Sequence, residues 1–308
     1  MNSLNKEYPF ISVIIPTLNN EKDLIDCLDS LKKTVYIHKN LEIIVWDNGS
    51  SQKCKEKINH YLSRIQEESG IKNRLIESSE NLGAHTSRDE LFKRVNHEAQ
   101  FILSIDDDVI LPPNIFKGLL AVFDSDNKAG IVGPRTVYDD FPNETAHGAG
   151  FVNWWIGRYK DIDSGELEEC DYVIGCCFLV KRDVINKLGG FDRDYYTSHG
   201  EIDFCLKAKK KGYKIIYQPS VIVKHKVEKG GTKSLERTYY IFRNKLFVIK
   251  KNAPIPQKYI SLFLYFLFWL PKSILDSIIR NKSLNFQEIR IILKAILDGW
   301  LNKGGKRL

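Results

Sequence analysis

Three consecutive carboxylates, Asp106-Asp107-Asp108, follow directly on an apolar run, Phe101–Ile105. Adjacent carboxylates repel one another, and burying them without a counter-charge is costly. A hard divalent cation relieves that cost, because Mg²⁺ and Mn²⁺ favour carboxylate and phosphate oxygens. An acidic triplet is otherwise a solvated loop; its place at the end of an apolar run favours the metal. Asp47 ends a second apolar run, Leu41–Trp46, with Gly49 permitting a tight turn. A carboxylate there can accept a hydrogen bond from a nucleotide base or a ribose hydroxyl, or act only as a turn residue or helix cap. Asn81-Leu82-Gly83 offers a similar choice between a plain turn and a close backbone approach to a ligand. His225, between Lys224 and Lys226, reads by itself as a surface histidine.

These groups need elements to hold them. Phe10–Ile15 is a β-branched run stopped by Pro16 and predicts a buried strand, as do Leu41–Trp46, Arg74–Glu77 and Phe101–Ile105. Between them, residues 21–33, 53–66 and 84–96 carry helical patterns. Strands alternating with helices over the first 110 residues imply a parallel sheet covered on both faces. Ligands of such sheets bind beyond the carboxyl ends of the strands, which is where each polar cluster sits. From residue 130 the pattern loosens: strands at Gly130–Pro134 and Tyr172–Val180, helices at Lys181–Leu188 and Glu201–Lys211, and a strand in Tyr213–Lys224 interrupted by Pro219.

The net charge of +7 conceals an asymmetry. Residues 1–204 carry 23 basic and 34 acidic side chains, whereas residues 205–308 carry 23 and 5. A third of the chain with net charge +18 suggests an anionic partner, or else a solvated basic face. Tyr259–Pro271, thirteen residues between Lys258 and Lys272, is too short for the roughly 30 Å hydrocarbon core of a membrane. A spanning helix would have to include Lys272 and Asp276. Contact with a membrane surface is the favoured reading, with a helix buried in the protein or in a dimer interface as the alternative. Residues 286–300 place Phe286, Ile289, Leu293, Ile296, Leu297 and Trp300 on one face of an amphipathic helix, which suits an interfacial contact. The six cysteines form no C-x-x-C pair and no zinc spacing, so reduced thiols are expected. MNSLNKEYPF has no apolar signal core.

Ser12–Asn20 (SVIIPTLNN), Val45–Ser50 (VWDNGS), Asn81–Gly83 with Arg88, Ile105–Pro112 (IDDDVILP) and Gly189–Asp192 (GGFD) occur in order. With Gly200–Asp203, Gly212–Pro219 and His225, they resemble the family-2 glycosyltransferases of GT-A fold over roughly residues 10–250, in particular rhamnosyltransferase-like members and enzymes of polysaccharide biosynthesis. The resemblance implies an α/β fold: a Rossmann-like, mostly parallel sheet flanked by helices over residues 1–250, with a helical apolar and basic appendage over 251–308. It also implies roles. Pro16, Thr17 and Asn19 border the nucleotide after the first strand. Asp47, with Gly49, contacts the base. Asn81, Gly83, Arg88, Asp106 and Asp107 border the donor. Asp106 and Asp108 form the D-x-D pair that holds Mn²⁺ or Mg²⁺, joined by the late histidine His225. The family usually has Glu-Asp-x-Asp, whose second residue is the catalytic base. Here Gly200-Glu201-Ile202-Asp203 puts Glu201 in that place, with Asp203 in reserve.

The expected activity is inverting transfer of a sugar from a nucleotide-diphosphate sugar to a hydroxyl of a glycan or polyprenyl-linked acceptor. The expected place is the cytoplasm, peripheral on the inner face of the cell membrane, with a homodimer admissible. A sugar-phosphate nucleotidyltransferase is the competing enzyme, but its Gly-rich basic loop is replaced here by PTLNN. A non-catalytic glycan-binding protein of the same fold is the other alternative. Nucleic acid is not an expected partner, because no binding motif accompanies the basic tail. Trp154-Trp155 with Tyr159 reads as packing or as a sugar platform, and His147 and His199 as acceptor-side groups.

Overall fold

The computed structural model describes residues 8–229, 234–281 and 286–308, without the side chains of 277, 278, 280 and 281. The amino-terminal stretch read for a signal core lies mostly outside the described residues. In chain order the elements are β1 (Ile11–Thr17), α1 (Glu21–Lys32), β2 (Leu41–Asp47), α2 (Gln52–Ser69), β3 (Lys72–Glu77), α3 (Ala84–Phe92), β4 (Phe101–Ile105), β5 (Val109–Ile110), α4 (Ile115–Ser125) and β6 (Ala129–Tyr138). Then follow β7 (Thr145–His147), β8 (Ala149–Asn153), β9 (Arg158–Ile162), β10 (Glu168–Cys170), β11 (Cys177–Lys181), α5 (Arg182–Leu188), α6 (Gly200–Lys210), β12 (Lys214–His225), α7 (Leu235–Asn252), α8 (Gln257–Leu264), α9 (Leu270–Asn281) and α10 (Phe286–Trp300).

The main sheet runs β10-β12-β6-β11-β4-β1-β2-β3. Its first half behaves as the alternation of strands and helices predicts: β3, β2, β1 and β4 are parallel neighbours. Beyond β4 the pairing becomes mixed, because β11 enters antiparallel between β4 and β6, while β6 and β12 pair in parallel. Alternate residues of a strand face opposite sides. Accordingly Ile11, Val13 and Ile15 of β1 pack with α1, α2 and α4 on one face, and Ile14 packs with α3, α5, α6 and α7 on the other.

Two prolines need explanation. Pro16 does not stop β1, which continues to Thr17 against β2. The pairing with β4 ends at Ile14↔Ser104, so Pro16 has an open flank where its missing N–H costs little. Pro219 falls in a register shift between Gln218 and Ile222, so β12 bulges and resumes to His225. The strands β7–β10 have no counterpart in the sequence reading. They are three to five residues long, and two of them form a separate ribbon, β8–β9.

The carboxyl-terminal region is helical, as expected. Helix α7 begins with Ser234 accepting a hydrogen bond from the Arg237 N–H (3.0 Å), an N-cap. Helix α10 packs along α7 through Leu246, Ile292 and Ile296, and Tyr239 donates to Asp298 across that seam at 2.6 Å. A π-helical turn, Tyr265–Trp269, joins α8 to α9. The stretch Gln257–Asp276 is long and apolar enough to cross a membrane by length and composition, and only 11 % of its most apolar window is buried. Pro271 sits near the start of α9, just after that turn.

Candidate functional site

Parallel strands of matched register end together. Thr17 pairs with Asp47 at the tips of β1 and β2, and β4 finishes one residue before Asp106. An open cleft of about 670 Å³ lies beyond these tips, walled by Pro16, Thr17, Asn19, Asn48, Asn81, Gly83, Asp106 and Asp107. A second cleft of about 360 Å³ holds His85, Arg88, His147, Cys176, Glu201 and His225. Ala84, Asp106, Thr197, Ser198 and Arg237 line both, so the two clefts meet at Asp106.

The nucleotide-side loops are clipped to one another. Asn19, with a left-handed φ of 51°, donates its N–H to Ser50 Oγ (2.8 Å) and accepts from the Ser51 N–H at Oδ1 (2.9 Å). Asp47 and Gly49 lie outside the cleft wall. Asp47 is fully buried and accepts from the Gly49 and Ser50 N–H groups (3.2 and 3.1 Å), the turn-capping role that the sequence left open. Its neighbour Asn48 lines the cleft instead. Gly83 permits a close approach: its φ is 79°, and a Cβ there would stand 2.3 Å from the Tyr196 carbonyl oxygen. Asn81 Oδ1 accepts from the Gly83 N–H at 2.8 Å and shapes that turn.

The three aspartates have three environments. Asp107 accepts from Thr17 Oγ1 (2.6 Å) and Asn20 Nδ2 (3.2 Å), so it ties β4 to the end of β1. Burial, reinforced by the charges of Asp108 and Asp106, pushes its carboxyl up to about 7. Asp106 is held by Arg88, whose buried guanidinium also donates to Ser104 Oγ (3.1 Å) and to the Ala84 and Gly175 carbonyl oxygens (3.3 and 3.2 Å). Asp108 Oδ1 lies 3.0 Å from His225 Nε2, an ion-pair contact, and this buried oxygen accepts no hydrogen bond. Oxygen atoms of Asp106 and Asp108 and a ring nitrogen of His225 lie within 4.8 Å of one another. A donor set of two carboxylates and an imidazole fits a hard divalent cation. Burial works to lower the His225 pKa, but Cys176 and Asp108 outweigh it and push the metal-free imidazole up to about 11, so a bound cation would take the place of that proton.

The two candidates for the base separate cleanly. Glu201, in the first turn of α6, faces the second cleft, and burial raises its pKa above the ordinary carboxylate range. Its Oε2 lies 3.4 Å from His85 Nε2, which accepts from the Gly200 N–H at 3.2 Å. Asp203 points away from both clefts. It is 1 % exposed, accepts from Asn252 Nδ2 (2.6 Å) and pairs with Lys207 (2.7 Å), so it joins α6 to the end of α7.

Among the acceptor-side candidates, His147 lines the second cleft and pairs with Asp161 at 3.1 Å. Trp154 packs against the core while Trp155 is exposed. Sequence reasoning passed over His85, Asn48, Cys176 and the Tyr196–Ser198 turn. His85 carried a readable signal, since it precedes Arg88 by three residues and shares its helix face.

Comparison with known proteins assigns the chain to a family. The profile described as glycosyl transferase family 2 matches residues 12–189. The low-salt glycan biosynthesis hexosyltransferase Agl10 of Haloferax volcanii is 24% identical over 241 residues, 76% of this chain and 74% of that protein. The glycosyltransferase AglE of the same organism is 24% identical over 225 residues, 72% of this chain and 69% of its own. Among solved structures, the mannosyltransferase PcManGT of Pyrobaculum calidifontis, in complex with GDP-Man and Mn²⁺, superposes with a TM-score of 0.64 at 18% identity, covering 97% of this chain and 89% of that one. The S. aureus TarS fragment 1–349 with UDP-GlcNAc gives a TM-score of 0.58 at 17% identity, covering 95% and 81%. With more than half of its length matched by the family profile, and the strand-end motifs gathered around one pair of clefts, this chain belongs to glycosyl transferase family 2.

Proposed function

We propose that the chain transfers a sugar, with inversion, from a nucleotide-diphosphate sugar in the first cleft to an acceptor hydroxyl in the second. The observation that carries this reading is the shared wall. Asp106, with Asp108 and His225 beside it, stands where the clefts meet, and Glu201 faces only the second. Thr17, Asn19, Asn48 and Asn81 border the nucleoside. Asp106, Asp108 and His225 hold a Mn²⁺ or Mg²⁺ ion, as the orphaned Asp108 oxygen and the hard donor set support. When bound, that ion neutralises the diphosphate and stabilises it as a leaving group.

Glu201 takes the proton of the acceptor hydroxyl as its oxygen attacks the anomeric carbon. The bond to the diphosphate breaks with its electron pair passing to the leaving oxygen, while positive charge builds on the sugar. One displacement inverts the anomeric centre. Burial of Glu201 makes it a stronger base than a solvated carboxylate. Arg88 orients Asp106, and His85 packs against Glu201 from α3. Asp47 acts through the Gly49–Ser50 turn and Asp203 through α7; neither touches substrate in this account.

The acceptor is a glycan, presented at a membrane. Tyr259, Phe263, Leu267, Phe268 and Leu275 of the α8–α9 stretch are all at least half exposed, as are Leu293, Leu297 and Trp300 of α10. An apolar face of that size next to basic side chains suits lipid contact. The chain then works at the cytoplasmic face of the membrane, and a second copy covering the same helices is the competing occupant. The test is the product's anomer, read by proton NMR on transfer to water before mutarotation. A product of opposite configuration to the donor is expected; retention would refute inversion, and pyrophosphate release from a nucleoside triphosphate would favour a nucleotidyltransferase.

A further inference from the structure

Lys245, on α7, is set among aromatic rings with no carboxylate partner among the described residues. The Lys245 ammonium of α7 lies 5.4 Å from the ring centre of Tyr265 and 5.8 Å from those of Tyr159 and Trp269. Arg158 of β9 stacks on the same indole of Trp269 at 4.7 Å. Neither Lys245 nor Arg158 is paired with a carboxylate among the described residues, and like charges at one ring repel. Burial, and then Arg158, lower the Lys245 pKa to about 8.

The surrounding polar atoms are also without partners. Tyr159 Oη, Tyr265 Oη and His199 Nδ1 are buried and make no hydrogen bond, although Tyr265 is only 2 % exposed. Buried hydroxyls are rarely left unpaired, and each such group calls for an explanation. The backbone carries strain at the same place. Tyr265 and Trp269 stand at the two ends of the π-helical turn, a local distortion frequent at functional sites. Ser198 and His199 adopt left-handed φ of 60° and 66°, and the His199 ring lies 5.2 Å from that of Tyr159. His199 precedes Glu201 by two residues, and Ser198 lines both clefts.

We propose that Lys245, Arg158 and the hydroxyls of Tyr159 and Tyr265 form a subsite for a phosphate group of the acceptor, beside Glu201. Two cations and two hydroxyl donors match the several oxygens of a phosphate better than the two of a carboxylate. The subsite lies against the π-helical turn in the middle of the exposed α8–α9 stretch, so a lipid tail on that phosphate would leave along an apolar surface. A lipid-borne phosphate and a soluble phosphate-bearing glycan share this chemistry. The inference rests on the reading of the Glu201 cleft as the acceptor side.

The test is isothermal titration of the full chain with geranyl phosphate and, separately, inorganic phosphate. Divalent cations are left out, so that Asp106, Asp108 and His225 cannot recruit the anion. A third titration, with GDP or UDP and Mn²⁺, reports the donor cleft. Geranyl phosphate should bind the wild type, Lys245→Met should weaken it by about tenfold or more, and Lys245→Arg should largely retain it. Tighter binding of geranyl phosphate than of phosphate assigns a lipid source; equal, Lys245-dependent binding assigns a soluble one. Nucleotide binding should be unchanged in Lys245→Met. If that variant does not fold, exposed Arg158→Gln decides, with the same direction of effect. No binding to the wild type, or binding indifferent to both substitutions, overturns the subsite. Loss of nucleotide binding in the wild type, with phosphate binding intact, would overturn the donor reading alone.

Discussion

Replacing Arg88 by Met removes the one cation among the described residues that holds Asp106 in place. The guanidinium is 2 % exposed and makes four contacts, to Ser104, Ala84, Gly175 and Asp106. Breaking a buried charge pair by removing one partner costs about 3–5 kcal/mol, but the Asp106 side chain retains some access to water, so about 3 kcal/mol is the expected loss. At about 2 °C per kcal/mol for a chain of this size, melting should fall by about 6 °C in the absence of metal. A divalent cation then supplies the missing counter-charge, so Mn²⁺ should raise the melting temperature of Arg88→Met more than that of the wild type. Differential scanning fluorimetry with and without Mn²⁺ measures both numbers. A loss below about 1 kcal/mol, or a Mn²⁺ increment no larger than in the wild type, would show that Arg88 and the metal do not share Asp106.

Further outcomes follow from the same geometry. Glu201→Gln should abolish transfer while leaving nucleotide binding by calorimetry intact, and full activity would remove Glu201 as base. The Glu201 pKa is raised by burial and a base acts deprotonated, so kcat/KM should fall with decreasing pH through a limb above the ordinary carboxylate value of about 4.3; a limb at or below that value would contradict a buried base. The same raised pKa means that stability associated with Glu201 is present below its unfolded value of about 4.3 and lost as pH rises through the folded one, so Glu201→Gln should melt no lower than the wild type at pH 8. Gly83→Ala should cost about 2–4 kcal/mol in urea unfolding, since the new methyl meets the Tyr196 carbonyl at 2.3 Å and φ is positive; a loss within about 0.5 kcal/mol would mean that the turn relaxes freely. Phe263→Ser with Leu267→Ser should reduce sedimentation with anionic vesicles without lowering the melting temperature, and unchanged sedimentation would remove this face from membrane contact.

The first half of the fold was legible because its strands are long, β-branched and buried, and because the polar clusters stand where those strands stop. β1, β2 and β4 end at Thr17, Asp47 and Ile105, and the cleft opens there. The direction of β11 was not legible, since a buried antiparallel strand and a buried parallel one carry the same kind of apolar run, here residues 177–180. β7–β10 were missed because three- to five-residue strands leave no usable periodicity. The amphipathic face of α10 was read as a single stripe. The helix instead divides its apolar residues, with Ile292, Ala295 and Ile296 against α7 and Phe286, Leu293, Leu297 and Trp300 outward. In the site, residue types pointed to Asp106 and Asp108 and the family resemblance added His225; the three do converge. The turn-capping role of Asp47 was one of the two that its residue type allowed, and the structure selects it; that Asp203 spends its carboxylate on Asn252 and Lys207 was not legible, because Asn252 is distant in the chain.

Nucleoside diphosphate release from a panel of nucleotide sugars, with Mn²⁺ and with chelator, decides whether the first cleft is a metal-assisted donor site. The wild type should release it from at least one donor with Mn²⁺ and little with chelator, and Asp108→Asn should release little under either condition. Release indifferent to chelator and to Asp108→Asn would contradict the metal role of the Asp106–Asp108–His225 group, and no release across the panel would contradict the donor cleft itself.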